Sequence, residues 1–207
     1  MGINAMNISQ DPYDLLESHW PAIAHGLAAV WSEGVGVEEV ARRLGADPAS
    51  ATRVTLAGLP AGFEGENIPG DHDGILLIGE FGEFGAWTLT LQIQWADVAE
   101  QWALESLSAD GGRAVGVRWH GGSGYRVFYA HDGEVAADSP MTMIPAALSP
   151  YADGLPTEPD WDVAGEYGSP IAQMISTCLV IIGRVTGEEI SRQWLEKQHT
   201  RYIIRRP

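Results

Sequence analysis

The segment Trp87 to Gln94, WTLTLQIQ, limits the possible folds of this chain more than any other part of the sequence. Its large apolar residues alternate with threonine and glutamine at every second position. This period of two predicts a strand with its apolar side toward the core and with Thr88, Thr90 and Gln92 toward water. The apolar segment Ile75 to Glu80 lies just before it, across the turn sequence FGEFGA. The two segments therefore predict an antiparallel hairpin.

Further strands follow the same logic. RAVGVRWH, the turn GGSG and YRVFYA predict a second hairpin, and the turn HDG leads into a strand around Glu134 to Ala137. Antiparallel strands mixed with helices are typical of the α+β class. We expect a single domain over residues 1–207, with an antiparallel sheet of about five strands flanked by N- and C-terminal helices.

Helical spacing of apolar residues occurs in five places. From Asp11 to Trp31 the pattern predicts a short turn followed by a helix from about Trp20, or one helix kinked at Pro21. The other predicted helices are GVGVEEVARRLGAD closed by Gly45, DVAEQWALESLS, Ser169 to Thr186, and TGEEISRQWLEK capped by Thr186. Residues Asp47 to Gly74 predict mostly loop, with extended structure only at RVTL.

The region from Pro140 to Ser169 is rich in proline and glycine and predicts a long loop over residues 140–168. Loops of this length are uncommon in compact domains unless they carry a function or serve as linkers. The acidic sequence GLPTEPDWD lies inside it. This loop is therefore a candidate functional segment.

The charge of the chain restricts its partners. The formal net charge is −16, and residues 1–191 alone carry seven basic and 27 acidic residues. Such a chain is unsuited to nucleic acid, whose phosphates need clustered lysine and arginine. A negative field of this size favours basic proteins or cationic ligands, and it also keeps a protein in solution. The basic C-terminal sequence RYIIRRP is expected to dock on the acidic body of the same chain.

The single cysteine, Cys178, excludes an internal disulfide and a cysteine-cluster metal site. It lies in the apolar run IAQMISTCLVIIG, where a thiol is expected to pack as a small apolar group. The N-terminal residues show neither the basic region nor the apolar region of a signal peptide, and no apolar run reaches the length of a membrane span. We expect a cytoplasmic protein with no membrane association.

No motif in the sequence indicates a reaction. Asp71, His72 and Asp73 lie in a glycine-bracketed turn, where neighbouring side chains point apart, which opposes a metal site. His120 precedes GGSG, but Tyr125 stands where a G-x-S-x-G motif would need its last glycine. We therefore predict no catalytic residue, no metal and no cofactor. Catalytic groups can also come together in space without a sequence motif, so the sequence does not exclude an enzyme.

Three stretches together resemble a known family: GVEEVARRLGAD, GAWTLTLQ followed by GGRAVGVRWHGGSGYRVFYAHDGEVAADS, and IIGRVTGEEISRQWLE. They resemble a widespread actinobacterial family of small uncharacterised proteins, known as a domain of unknown function. Gly116 stands where the family often has serine, and His131 where it has glutamate. The resemblance implies a one-domain α+β fold and supplies no catalytic residues.

The loop FGEFGA allows two interpretations. Both phenylalanines cap the end of the core, or one of them is an exposed anchor flanked by glutamates that contacts a basic partner. An aromatic centre within a charged rim is the common anatomy of a binding hot spot. Together with the acidic loop, this second interpretation gives the following candidate partner-binding residues: Glu80, Phe81, Glu83, Phe84, Glu158, Asp160, Trp161 and Asp162.

Three functions are compatible with the sequence. The leading hypothesis is a non-enzymatic, acidic protein-interaction module, such as an immunity-type or inhibitor protein that covers a basic effector. The alternative is a small-ligand-binding protein or hydrolase, with a pocket between the sheet and the 140–168 loop that uses His120, Tyr125 or His131. The third is a scaffold subunit in which exposed tryptophans form a homodimer seam.

Overall fold

A computed structural model of the chain describes residues 11–24, 26–59, 74–94, 98–120, 124–156, 158 and 170–204. Within these residues the strands are β1 Gly26–Glu33, β2 Ala46–Thr55, β3 Gly74–Phe81, β4 Trp87–Gln94, β5 Arg113–His120, β6 Gly124–His131, β7 Glu134–Pro140 and β8 Gln198–Ile204. The helices are α1 Pro12–His19, α2 Val37–Arg43, α3 Gln101–Ser108, α4 Pro170–Thr186 and α5 Arg192–Glu196.

The strands form one antiparallel sheet in the order β2-β8-β3-β4-β1-β5-β6-β7. The α+β class and the antiparallel sheet are thus confirmed. The predicted number of about five strands is wrong, because the described part of the sheet has eight. The two predicted hairpins and the strand after HDG are present as β3–β4, β5–β6 and β7. The sequence pattern did not reveal β1 and β8, and of β2 it indicated only the last three residues, within RVTL.

Strand β1 lies where a helix was predicted from about Trp20. Helix α1 ends at His19, a short 3-10 turn covers Pro21–Ala24, and β1 then pairs with both β4 and β5. A strand in the middle of a sheet that is covered on both sides has apolar residues at consecutive positions, so it lacks the alternation of a half-buried strand. In a run such as LAAVW, some apolar residues necessarily fall at helical spacing.

Strands β2 and β8 form one edge of the sheet. The region Asp47 to Gly74 was predicted as mostly loop, whereas β2 extends over Ala46–Thr55 with a register shift between Asp47 and Thr52. The C-terminal segment does not simply rest on an acidic surface. It enters the sheet as β8 between β2 and β3. Pairing across such sequence distances leaves no local pattern to recognise.

Both faces of the sheet are covered. On the first face the core includes Leu16 of α1, Ile175 of α4 and Trp194 of α5. On the second face, Val40 of α2 and Leu104 of α3 belong to a separate apolar cluster. The prediction of a water-exposed face on β4 is therefore wrong, since Thr88 and Thr90 are 1 % and 0 % exposed under these helices.

The helices agree in position with the sequence pattern, apart from the one predicted after Trp20, but not at every end. Helix α2 closes before Gly45, which has the positive φ of 73° that favours glycine at this point. Helix α3 begins at Gln101, and Asp97, the first residue of the predicted segment DVAEQWALESLS, lies outside the described residues. Helix α5 is capped by the hydroxyl of Ser191, which accepts from the backbone N–H of Trp194, instead of by Thr186.

Candidate functional site

The turn between β3 and β4 carries the most exposed large apolar side chain described in the structure. We call residues 82–86 the hairpin tip. Gly82, Phe84 and Gly85 all have positive φ, at 79°, 60° and 68°, and the N–H of Gly85 donates to the carbonyl of Gly82 at 3.1 Å. Three left-handed residues in four positions give a sharp and specific turn.

Phe84 is 97 % exposed at this tip. Its backbone, with φ 60° and ψ 22°, is in the left-handed helical region. For a residue other than glycine this conformation costs about 1–2 kcal/mol. Burying such an aromatic side chain would be worth roughly 1.5–3 kcal/mol, which the free chain forgoes here. The backbone of Phe84 thus costs stability, and its exposed side chain returns nothing to the fold.

Phe81, at the base of the tip, has the opposite environment. It is 2 % exposed, and its ring makes edge contacts with Trp31 at 6.1 Å and with Trp194 at 6.0 Å between centroids. Phe81 therefore belongs to the core and cannot contact a partner in this conformation, which corrects its inclusion among the partner-binding candidates. The two phenylalanines have separate roles: Phe81 holds the base of the turn and Phe84 projects from it.

A buried aromatic and histidine pair supports the base from the adjacent element. The indole Nε1 of Trp194 donates to the carbonyl of Glu80 at 2.9 Å. The ring of His199 lies against the same indole with centroids 4.0 Å apart. A Cβ at Gly79 would lie 2.1 Å from Nδ1 of His199, so only glycine leaves room for this ring. These contacts join α5 and β8 to β3, and no local sequence signal could have revealed them.

The charged candidates are distributed as follows. Glu80 is exposed beside the tip, and it shares with Lys197, Glu188 and Trp194 the lining of a depression of about 180 Å³. The side chain of Glu83 lies outside the described residues. Glu158 is exposed and lines a different depression, whereas Asp160, Trp161 and Asp162 lie outside the described residues. The structure thus brings only Glu80 and Phe84 of the candidate set to one described surface.

Most described basic side chains are engaged within the fold. The arginines that form ion pairs with carboxylates are Arg42, Arg43, Arg113, Arg118, Arg126 and Arg192. Arg53 and Arg184 instead donate to backbone carbonyl groups. These described arginines are thus engaged with groups of the same chain.

One of these ion pairs lies at the tip end of the sheet. Arg113 makes two hydrogen bonds with Glu33, at 2.6 and 2.5 Å, which hold the pKa of that carboxyl below its usual value. The guanidinium also lies 5.2 Å from the ring centre of Trp87, the first residue after the tip. This cation is therefore already paired and does not neutralise Glu80.

The residues of the predicted ligand pocket do not converge. His120 pairs with Gly124 at one end of the β5–β6 hairpin, and His131 pairs with Arg113 at the other. Seven residues of strand separate the two ends, or roughly 24 Å. Tyr125 lies near the His120 end. A depression of about 520 Å³ is lined by residues that include Thr142 and Ile144, and its carboxylates are those of Asp153 and Glu158.

Two further chemical candidates can be assessed. Burial raises the pKa of the Cys178 thiol to about 12, so it packs as an apolar group and is not a nucleophile. Among the residues that the structure describes, no three histidine, cysteine or carboxylate side chains are grouped as a metal site. The residues Asp71, His72 and Asp73 lie outside that part of the chain.

The fold and the tip together define an α+β protein whose eight described strands form one antiparallel sheet, and this sheet projects a strained, exposed aromatic residue. No protein-family model, curated protein or solved structure matches the chain. The resemblance to an actinobacterial family therefore stays a prediction. None of the described helices is both long and apolar enough to cross a membrane.

Proposed function

We propose that this chain is a cytoplasmic, acidic protein-interaction module that inserts Phe84 into an apolar pocket on a basic protein partner. An immunity-type or inhibitor protein that covers a basic effector is the functional class we favour. The observation that carries the proposal is the 97 % exposure of Phe84 in a left-handed backbone conformation. Because the residue stabilises nothing in the free chain, its contribution is expected in a complex.

The geometry of the tip suits an anchor. Glycines on both sides of Phe84 are held at positive φ, and Phe81 fixes the base of the turn in the core. The side chain is thus presented on a defined support, which lowers the conformational entropy lost on binding. Hot spots are typically aromatic residues that fill a pocket at the centre of an interface.

The charge of the chain favours a basic rim around that pocket. Glu80 is exposed next to the tip, and the net charge of the chain is −16. Opposite potentials steer association and raise the rate at which partners meet, and this rate falls as salt is added. Glu158 lines a different depression, so its contact with the partner is proposed as a second and separate one.

The first experiment identifies the partner and locates the contact at once. A photo-crosslinking amino acid at position 84 is expected to form an adduct in native-host cells, and the cross-linked peptide gives the partner and its surface. The same reagent at Met143, which is 65 % exposed elsewhere on the chain, is the control. An adduct at position 84 with a second copy of this chain would instead support the homodimer reading.

With the partner in hand, we predict that Phe84→Ala weakens binding at least about tenfold, a loss of about 1.4 kcal/mol or more. Glu80→Lys is expected mainly to slow association and to reduce its dependence on salt. Isothermal titration and stopped-flow mixing measure the two effects.

Met143→Ala and Trp102→Ala are matched controls, because both side chains are also exposed. Equal affinities of Phe84→Ala and Met143→Ala for the partner would contradict the anchor role. A partner whose cross-linked surface is acidic would contradict the electrostatic part of the proposal.

A further inference from the structure

The buried ring of His199 lies under the base of the hairpin tip and is fixed by two contacts. It is 1 % exposed and stacks against Trp194, with the ring planes at 31°. Its Nε2 lies 2.8 Å from the carbonyl oxygen of Trp194. Because a carbonyl can only accept, Nε2 carries the proton of the neutral ring and Nδ1 carries none.

The other side of the ring faces β3. Nδ1 lies so close to Gly79 that a Cβ on that residue would be only 2.1 Å away. A second proton on the ring, at Nδ1, would be placed in a buried position against the methylene of Gly79. A charge on a ring that is buried in this way is disfavoured by the loss of its hydration.

Charged groups of both signs lie around the ring, because His199 lines a depression of about 490 Å³ with the carboxylates of Glu38 and Glu80 and with the cations Arg53 and Lys197. Burial is the main cause that lowers the pKa of His199, the cations Lys197 and Arg53 lower it further, and the hydrogen bond to Trp194 partly opposes them. On α5 the group in contact is the indole, which does not titrate. On β3 it is Gly79, and the neighbouring carboxylate of Glu80 is exposed.

The indole of Trp194 lies between this ring and the base of the tip and contacts both. Trp194 Nε1 donates to the carbonyl of Glu80 at 2.9 Å, and the indole contacts Phe81 at 6.0 Å between centroids. Phe81 directly precedes the tip. A displacement of the indole therefore removes both a hydrogen bond and a packing contact from the base that holds Phe84 in position.

We propose that His199 is an acid-sensitive latch for the hairpin tip: a second proton displaces the ring from between Trp194 and Gly79 and frees the tip that presents Phe84. Its biological meaning rests on the proposed function of Phe84, whereas the latch is a property of the free chain. With the ring neutral, the tip is held for binding, and mild acid releases the partner.

The direction of the pH effect follows from the preference for the neutral ring. Above the ordinary histidine pKa of about 6.5, the ring is neutral in every state and the latch is closed. As the pH falls below that value, the state with the freed ring binds a proton that the latched state does not. Opening is therefore expected to grow with acid until the lowered pKa of the latched ring is reached.

Nuclear magnetic resonance on the whole chain tests this without a partner. As the pH is lowered, we expect the chemical shifts of the Trp194 indole N–H and of the Gly82 and Gly85 amides to change together with those of the His199 ring. All of these changes should share one midpoint below about pH 6.5. The tip amides are expected to lose protection from hydrogen exchange by several-fold, after correction for the intrinsic pH dependence. Titration of the ring without any response of the indole and the tip would overturn the proposal, as would a ring that stays neutral while the tip opens.

A pair of variants isolates the histidine. His199→Gln keeps a donor for the carbonyl of Trp194 and cannot titrate, so the tip signals should lose their pH dependence. His120→Gln changes an exposed histidine at the opposite end of the sheet and should leave that dependence unchanged. Persistence of the tip response in folded His199→Gln would also overturn the latch. If that variant does not fold, the titration of the unmodified chain still decides.

The two proposals fail in different experiments. If the tip responds to His199 but Phe84→Ala does not weaken binding, the latch proposal stands and the anchor proposal fails. If the chain binds its partner through Phe84 but the tip shows no pH response, the anchor proposal stands and the latch proposal fails.

Discussion

At the scale of single residues, Phe84 is the position where the sequence conflicts with the fold. A residue with φ 60° is normally glycine, asparagine or aspartate, and the two other non-glycine residues with positive φ are indeed Asp110 and Asp132 in the described part of the chain. Strained backbone that persists at an exposed position is typical of sites where the residue is needed for function.

This conflict gives a prediction on stability. We expect Phe84→Asn to raise the free energy of unfolding by about 1 kcal/mol, because asparagine tolerates the left-handed region and no packing is lost. Urea unfolding measures the change. Trp102→Asn is the control: it replaces another exposed aromatic residue but within helix α3, where asparagine is less favourable, so its stability should fall. A less stable Phe84→Asn variant would mean that Phe84 packs on the chain after all.

At the scale of elements, the contact of β8 with β3 determines how the tip is supported. Strand β8 carries His199 and pairs with β3 from Gly74↔Ile204 to Ile78↔Thr200. The histidine ring then crosses over Gly79, next along β3. The absence of one side chain on β3 thus makes space for the buried histidine on β8.

We predict that Gly79→Ala destabilises the chain by on the order of 3 kcal/mol, because the new methyl group would overlap the ring of His199. Thermal or urea unfolding measures this loss. Gly36→Ala is the matched control: its added Cβ meets nothing within 4 Å, and we expect a change of at most about 1 kcal/mol. Similar effects of the two substitutions would show that the histidine ring does not occupy this position in solution.

At the scale of the whole molecule, the excess of negative charge acts on stability as well as on partners. The chain has 28 carboxylate side chains and 12 basic ones, so its formal net charge is −16 and the excess carboxylates repel one another. Repulsion of this kind destabilises the compact state.

We therefore predict that the unfolding temperature rises by a few degrees as salt increases from about 0.01 M to about 0.15 M at neutral pH, where the screening length falls from about 30 Å to about 8 Å. Differential scanning calorimetry measures the shift. Near the isoelectric point of about 4.5 the same salt series should have little effect. A fall in unfolding temperature at neutral pH would indicate that the ion pairs outweigh the repulsion.

The features that the sequence determined by itself depend on interactions between residues that are close together in the chain. Local conformation is fixed by the alternation in WTLTLQIQ, by the glycine-rich turns, by Gly45 and by the apolar run of α4. Together these features determine the antiparallel α+β class and the hairpin connections β3–β4, β5–β6 and β6–β7. The sequence also identified the loop FGEFGA as a candidate site, because aromatic residues in a glycine-rich turn are visible locally.

The tertiary structure alone decided the rest. Strands β1, β2 and β8 owe their conformation to partners that are distant in the chain, and burial on both faces removes the alternation by which β1 would have been recognised. Which phenylalanine is buried depends on Trp31 and Trp194, far away in sequence from Phe81. The physical reason is the same in each case. Burial depends on contacts between residues that are far apart in the chain, and a local sequence pattern does not identify those contacts.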